Sequence, residues 1–186
     1  MTPAWLKGLS ALRTEAHQRE STGLAWSVFI GPDQILEAAV RLDGEGYFLE
    51  DVSGLDATEG FLVTYHFDHW QRPGRVALRV LLTREAPILP SISGVFGGAE
   101  WHERECRDFF GVQFEGNPNP GALLLPADFE IHPLCKEAGE RKPLRELLTQ
   151  GEVIASAEGF DLFAPAEEPA APPDDAADSG TPEEED

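Results

Sequence analysis

The sequence predicts an α+β fold: a mostly antiparallel sheet covered by helices, followed by a loop-rich C-terminal docking segment. Residues 47–52, 60–67 and 76–83 are rich in β-branched and aromatic side chains, which suit a pleated, half-buried surface. In the second run Phe61, Val63, Tyr65 and Phe67 alternate with Leu62, Thr64, His66 and Asp68. In the third, Val76, Leu78, Val80 and Leu82 alternate with Ala77, Arg79 and Leu81. Alternation buries one face under a second layer, and helical-period segments on either side can supply it. Gln71-Arg72-Pro73-Gly74 joins the two runs and reads as a hairpin loop, so the pair is antiparallel.

The remaining elements follow in chain order. Trp5, Leu6, Leu9 and Leu12 recur at helical spacing, with Thr2 placed as a cap and Pro3 as the first helical residue, which predicts a helix to about Gln18. Residues 24–30 are short and apolar and end at Gly31-Pro32, as a strand does. Asp33 then caps a helix carrying Ile35, Leu36, Ala39, Val40 and Leu42, stopped by Asp43-Gly44-Glu45-Gly46. Pro87, Pro90 and Ser91-Ile92-Ser93-Gly94 form a loop leading into a helix over about 97–110. Beyond Gly111 come Asn117-Pro118-Asn119-Pro120-Gly121, Leu123-Leu124-Leu125-Pro126 and Ile131-His132-Pro133-Leu134. Such a proline-rich stretch with apolar residues needs a neighbour to lie against. Residues 158–186 are mostly Ala, Pro, Asp and Glu, a composition that cannot bury enough surface to fold. The expected organisation is a domain over 1–115, a docking segment over 116–150 and an acidic disordered tail over 151–186.

The formal charge of −20 is uneven, because twelve acidic and no basic residues lie beyond residue 150, leaving 22 acidic against 14 basic residues in 1–150. That body is only moderately acidic. Arg72, Arg75, Arg79 and Arg84 border the hairpin, yet a negative body without interleaved aromatics argues against nucleic acid. No basic leader and no run of about 18 apolar residues is present, so a cytosolic chain is expected. Cys106 and Cys135 stand apart rather than in paired motifs, too few for an iron–sulfur cluster or a four-cysteine zinc site. His66 and His69 would point to opposite faces of a strand, which reads as surface histidines rather than metal ligands.

The most unusual stretch is 103–118, with six charges, three phenylalanines and two glycines. On a helix Trp101, Glu105 and Asp108 share one face, and Arg104 with Asp108, like Glu103 with Arg107, is spaced for an i,i+4 ion pair. Cys106, Phe109 and Phe110 form the apolar side, and Gly111 fits a left-handed C-cap. Glu103, Glu105 and Asp108 lack a nucleophile, a glycine-rich loop or a metal trio to make them acid–base catalysts. The run therefore reads as an amphipathic helix with its stop and exit loop.

Glu103-Arg104-Glu105, then Asp108-Phe109-Phe110-Gly111-Val112 and Phe114-Glu115-Gly116-x-Pro118, together with Asp51-Val52-Ser53-Gly54-Leu55-Asp56, Tyr65-His66 and Trp101 upstream, resemble the 30 kDa subunit of respiratory complex I and its counterpart in bacterial NADH–quinone oxidoreductase. The likeness spans roughly 45–135 and extends to subunits of chloroplast NDH, F420H2 dehydrogenases and group 4 nickel–iron hydrogenases. It implies a non-redox peripheral-arm subunit, itself without cofactor, that supports electron transfer coupled to proton translocation. Iron–sulfur clusters, quinone and NADH or another donor would belong to partner subunits. The implied partners are the quinone-site large subunit and the iron–sulfur subunits, with membrane association only through the complex, on the cytoplasmic side of the inner (plasma) membrane. The implied contact residues are Glu103, Arg104, Glu105, Asp108, Phe114, Glu115, Gly116 and Pro118. Two departures stand out: Asn117 replaces the histidine of a Gly-His-Pro pattern, and Cys135 replaces an arginine after His132-Pro133-Leu134. Alternatives are the equivalent subunit of a group 4 hydrogenase or other donor:quinone complex, and a standalone acidic enzyme or binding module.

Overall fold

The computed structural model describes residues 3–148, so the expected acidic tail and Thr2 lie outside the described residues. Strands β1 (Ala11–Ala16), β2 (Trp26–Ile30), β3 (Phe48–Ala57), β4 (Gly60–Asp68) and β5 (Val76–Leu82) form one sheet in the order β1-β2-β5-β4-β3. Three of its four pairings are antiparallel, and β2–β5 is parallel. The hairpin read at 71–74 joins β4 to β5, with Tyr65 opposite Leu78 and Phe67 opposite Val76.

A single helical turn, α1 (Arg19–Thr22), links β1 to β2. One face of the sheet carries the main core. Val28, Ile30, Val52, Val63, Tyr65, Phe67, Val76, Leu78 and Val80 point into a single cluster with Ile35, Ala38, Ala39 and Leu42 of helix α2 (Ile35–Gly44) and Ala99, Cys106 and Phe110 of helix α3 (Ala99–Phe110). Helix α3 lies against β3, and Gly54 is what allows it. A Cβ there would stand 2.5 Å from the Phe110 ring, too close for any rotamer to relieve cheaply.

The amino-terminal reading is corrected. Ala4–Leu6 is a 3-10 turn preceded by Pro3, and residues 11–16 form β1, not a continuing helix. Trp5, Leu6 and Leu9 are buried, but Leu12 is exposed. Four apolar residues at helical spacing fit a turn and one strand position equally well, and pairing with the edge of β2 decides. Asp33 is not a helix cap either: it sits inside the 3-10 turn Pro32–Gln34, and no side chain caps α2.

Past β5 the chain makes β6 (Ile88–Pro90), α3 and β7 (Gln113–Glu115), with β6 and β7 paired in parallel. Gly111 ends α3 in the left-handed region at φ 77°, as its C-cap reading requires, and its N–H reaches the Arg107 carbonyl at 2.9 Å. From residue 116 the chain is irregular, apart from a 3-10 turn at Ala138–Glu140 and the short helix α4 (Leu144–Leu147). Helix α4 lies on the opposite face of the sheet, where Leu144, Leu147 and Leu148 meet Phe29, Leu55, Ala57, Leu62 and Leu81.

Candidate docking site

Helix α3 is built around one stripe. Ala99, Glu103, Cys106 and Phe110 fall at positions i, i+4, i+7 and i+11 and are all buried, so a carboxylate occupies a core position. Glu103 is 0% exposed and accepts three hydrogen bonds, from Ser91 Oγ at 2.6 Å, Ile92 N at 2.8 Å and Asn117 Nδ2 at 2.7 Å. Burial pushes its carboxyl above the usual range, and those donors oppose the rise. The bonds tie the β6–α3 loop and the 117 loop to one point on the helix.

Asp108, one turn further, does the same for the next stretch. Its Oδ2 accepts the backbone N–H groups of Leu123, Leu124 and Leu125 at 2.9, 2.8 and 3.1 Å. Burial works to raise this carboxyl too, but the three N–H groups, with Arg107 beyond them, outweigh it and hold it below the ordinary range. Arg104 completes the clamp by donating to the Gly121 carbonyl at 3.1 Å and the Ala122 carbonyl at 2.8 Å. The expected i,i+4 pairs are thereby replaced: Arg104 and Asp108 each bind backbone of 121–125, and Glu103 binds Ser91, Ile92 and Asn117. Backbone groups of a loop need partners as much as charges do, and each partner here satisfies both.

The return of the chain toward the sheet is fixed by further contacts. His132 Nδ1 lies 2.9 Å from the Asp108 carbonyl, and its ring stands 2.8 Å from where a Cβ on Gly111 would be. Leu134 N–H donates to the Phe109 carbonyl at 3.2 Å. Asp56, at the end of β3, accepts the Lys136 N–H at 2.8 Å and faces Arg84 at 2.5 Å and Arg141 at 3.4 Å. Its side chain is fully buried, which would raise its carboxyl, but these donors and charges leave it below the usual value. Glu59 accepts the Leu144 N–H at 3.0 Å.

Between α3 and the clamped segment lies an open groove of about 930 Å³, bordered by Arg104, Arg107, Phe114, Leu125, Phe129 and His132. Large apolar side chains are exposed on α3 and on the segment beside it. Trp101, Leu124, Phe129, Ile131 and Leu134 are 64, 58, 46, 66 and 50% exposed. Each is already partly covered, so completing its burial would gain on the order of 1 kcal/mol, part of the roughly 1.5–3 kcal/mol for burying a fully exposed large apolar side chain, and such residues mark interaction surfaces.

Of the expected contact residues, Glu103, Arg104, Asp108, Phe114 and Glu115 line this groove, whereas Glu105, Gly116 and Pro118 are not among its lining residues, and their exposure is divided. Glu103 and Asp108 are buried and act on the segment from inside, and Phe114 is buried in β7. Arg104 and Glu105 are half-buried, while Glu115 at the end of β7 and Gly116 and Pro118 on the exit loop are all exposed. Sequence reasoning missed the anchoring roles of Asp56, Ser91, Arg141 and His132. Only the position of Glu103 in the stripe of Ala99, Cys106 and Phe110 gave a readable sign of an inward carboxylate.

Other candidate sites resolve into internal contacts. Arg75 holds Glu50 with two bonds of 2.6 and 2.8 Å, Arg72 faces Glu45 at 3.5 Å, and Arg84 is engaged by Asp56. His66 meets Asp51 at 2.9 Å, whereas His69 Nδ1 accepts the N–H groups of Gln71 and Arg72 in the hairpin loop. Among the described residues no group of three or more His, Cys, Asp or Glu could hold a metal ion. Burial pushes the Cys106 thiol up to about 12, so it stays protonated and inert near neutral pH. No helix among the described residues is long and apolar enough to cross a membrane.

Residues 28–143 match the family model for the respiratory-chain NADH dehydrogenase, 30 Kd subunit. The chain belongs to this family. Its members are subunits of a multi-subunit redox complex, and the matched span covers the sheet from β2, α3 and the clamped segment. A NADH-quinone oxidoreductase subunit of Roseiflexus sp. (strain RS-1) is 37% identical over 118 residues, 60% of this chain and 68% of the relative. A NAD(P)H-quinone oxidoreductase subunit of Prochlorococcus marinus (strain MIT 9303) is 37% identical over 123 residues, 56% of this chain and 66% of that protein. One chain in the structure of the membrane-bound sulfane sulfur reductase, an archaeal respiratory membrane complex, shares the fold with a TM-score of 0.61 at 18% identity, over 87% of this chain and 95% of that one.

Proposed function

We propose that this chain is the non-redox peripheral-arm subunit of a NADH:quinone oxidoreductase and that it docks on the quinone-site large subunit through the α3 groove and the clamped segment at 116–148. The carrying observation is the row of exposed apolar side chains Leu124, Phe129, Ile131 and Leu134, borne on backbone that α3 and β3 hold in place. A pre-ordered surface avoids the entropy of ordering a loop at association, which otherwise reduces affinity. Arg104, Glu105, Glu115, Gly116 and Pro118 form the polar rim, and Glu103, Asp108 and Phe114 position it from within. NADH, quinone and iron–sulfur clusters reside in neighbouring subunits, and the chain's contribution to electron transfer coupled to proton translocation is to hold those neighbours in register. Association with the cytoplasmic face of the membrane then comes through the complex.

Co-purification tests this reading. Ile131→Ser with Leu134→Ser is expected to reduce recovery of the large subunit on a tagged chain by at least about tenfold, because losing two apolar anchors costs on the order of 2–4 kcal/mol. Undiminished recovery with both anchors removed would contradict it. Arg104→Glu is a poorer probe than the sequence alone suggests, since Arg104 also holds the Gly121 and Ala122 carbonyls.

A further inference from the structure

The hairpin between β4 and β5 carries Trp70, whose 81% exposure is the highest of any large apolar side chain among the described residues. One face of the indole lies on Phe48 of β3, with ring centroids 4.3 Å apart and planes 23° from parallel, and the other face is open to solvent. The loop beneath it is closely tied. Asp68 Oδ1 accepts the N–H groups of His69 and Gly74 at 2.8 and 2.9 Å, which closes the turn, and Arg72 donates to the Glu45 carbonyl at 2.8 Å, which joins it to the connection between α2 and β3. His69 Nδ1 accepts the N–H groups of Gln71 and Arg72, and its ring meets Tyr47 edge-on at 5.5 Å. None of these contacts uses the indole. A loop ordered by its own bonds that holds a tryptophan in water presents an anchor with little left to order on association, and Trp is enriched among the residues that dominate protein interfaces.

The setting of the ring is acidic. In the β3–β4 register Phe48 lies opposite Asp68 and Asp51 opposite His66, on the face of the sheet away from Tyr65, Phe67 and the main core. Arg75 binds Glu50 through two bonds, and Glu50, Asp68 and Asp51 together favour its charged form. Arg72 faces Glu45 at 3.5 Å, and His66 lies 2.9 Å from Asp51. The four carboxylates Glu45, Glu50, Asp51 and Asp68 thus outnumber the two guanidiniums beside them, and the side chains of Asp51 and Glu45 remain 48 and 35% exposed. An indole face is itself the negative side of the ring's quadrupole. Ring and rim therefore select the same sign of charge, since a cation is attracted by both.

We propose that the Trp70 hairpin is a second protein-docking surface, occupied by an Arg- or Lys-bearing segment of a neighbouring subunit whose cation lies over the free indole face, with Asp51 and Glu45 on the rim. This surface is separate from the α3 groove. Phe48 begins β3 on the face away from α3, whereas the clamped segment is anchored to Asp56 near the other end of that strand. Eight residues of strand, or about 26 Å, lie between them, so one chain can hold two neighbours at once.

Oxidative footprinting of the full-length chain, free and in the complex recovered on a tagged chain, reads Trp70 directly. Assembly is expected to slow its oxidation by at least about tenfold, since an anchor within an interface is reached only through its open form. A photo-crosslinking residue in place of the exposed Gln71 identifies the occupant, and attachment is expected on another subunit within a few residues of an Arg or Lys. Asp51→Lys, a surface change, should lower that crosslinking yield at least about fivefold by setting like charge against the cation, with the circular dichroism of the chain unchanged. Equal oxidation of Trp70 in the two states would overturn the proposal. Crosslinking to a second copy of this chain would do so as well, and so would a yield indifferent to Asp51→Lys, which would mean an apolar occupant. Ile131→Ser with Leu134→Ser leaves this surface intact, so failure of the α3 groove as a docking site is distinguishable from failure here.

Discussion

Asn117 Nδ2 donates to Glu103 Oε2 across 2.7 Å, in a site where the carboxylate has no exposure to water. The same amide also donates to the Glu100 carbonyl at 3.2 Å, so it joins the exit loop to α3 at two points. Asn117→Asp would set a second carboxylate against the first and remove a donor. It is expected to destabilise the domain by about 2–4 kcal/mol, whereas Asn117→His, which restores a donor, should cost less. Denaturant titration of the two variants gives the comparison, and equal losses would argue against a donor at this position.

Asp108→Ala leaves the N–H groups of Leu123, Leu124 and Leu125 without their acceptor. Loss of such a charge-assisted cluster is expected to cost about 1–3 kcal/mol and to loosen 117–130 more than the sheet. Amide exchange in 121–125 should speed up well beyond that in β4. Uniform acceleration everywhere would mean that Asp108 supports the whole fold rather than this segment.

The two buried carboxylates of α3 predict opposite pH responses. Asp108, like Asp56, is held below its ordinary range in the folded state, so its contribution is present above the unfolded carboxyl range, near pH 4, and is lost as pH falls through the folded value. Glu103 is raised, so stability is lost as pH climbs from the ordinary glutamate range through its higher folded value. The Tm of Glu103→Gln measured across pH 3–8 should show a shallower decline on that upper limb and an unchanged acid limb. A variant whose upper limb matches the parent chain would remove Glu103 from this role.

Gly111→Ala should be costly for two independent reasons, the left-handed φ of 77° and the His132 ring 2.8 Å from the new methyl group. A loss of about 1–3 kcal/mol is expected. His132→Ala in the same background relieves only the second, so a double-mutant cycle separates backbone strain from the collision. Strict additivity of the two changes would contradict contact between them.

The hairpin of β4 and β5 was legible because Phe61 to Phe67 and Val76 to Leu82 alternate, and the end of α3 because Gly111 is the residue that a left-handed cap requires. The first twelve residues were not, since Leu12 fits a helical stripe and an exposed strand position alike and only the β2 edge distinguishes them. At the site, the sequence located the helix and its exit loop but misassigned the charges. Glu103 and Asp108 looked like solvated ion-pair partners of Arg107 and Arg104. Their actual partners include the backbone N–H groups of Ile92 and residues 123–125, and which backbone lies opposite a side chain depends on the path of a loop that has no periodicity. Asp56 is harder still, since Lys136 and Arg141 lie some 80 residues away along the chain.

The proposed docking through the clamped segment is tested most directly by amide exchange of the chain alone and assembled with the quinone-site large subunit. Assembly should slow exchange over 121–134 and on the outer side of α3 around Trp101 and Glu105, with β1 and β2 unaffected. Unchanged exchange over 121–134, accompanied by protection on another surface, would contradict this assignment of the docking site.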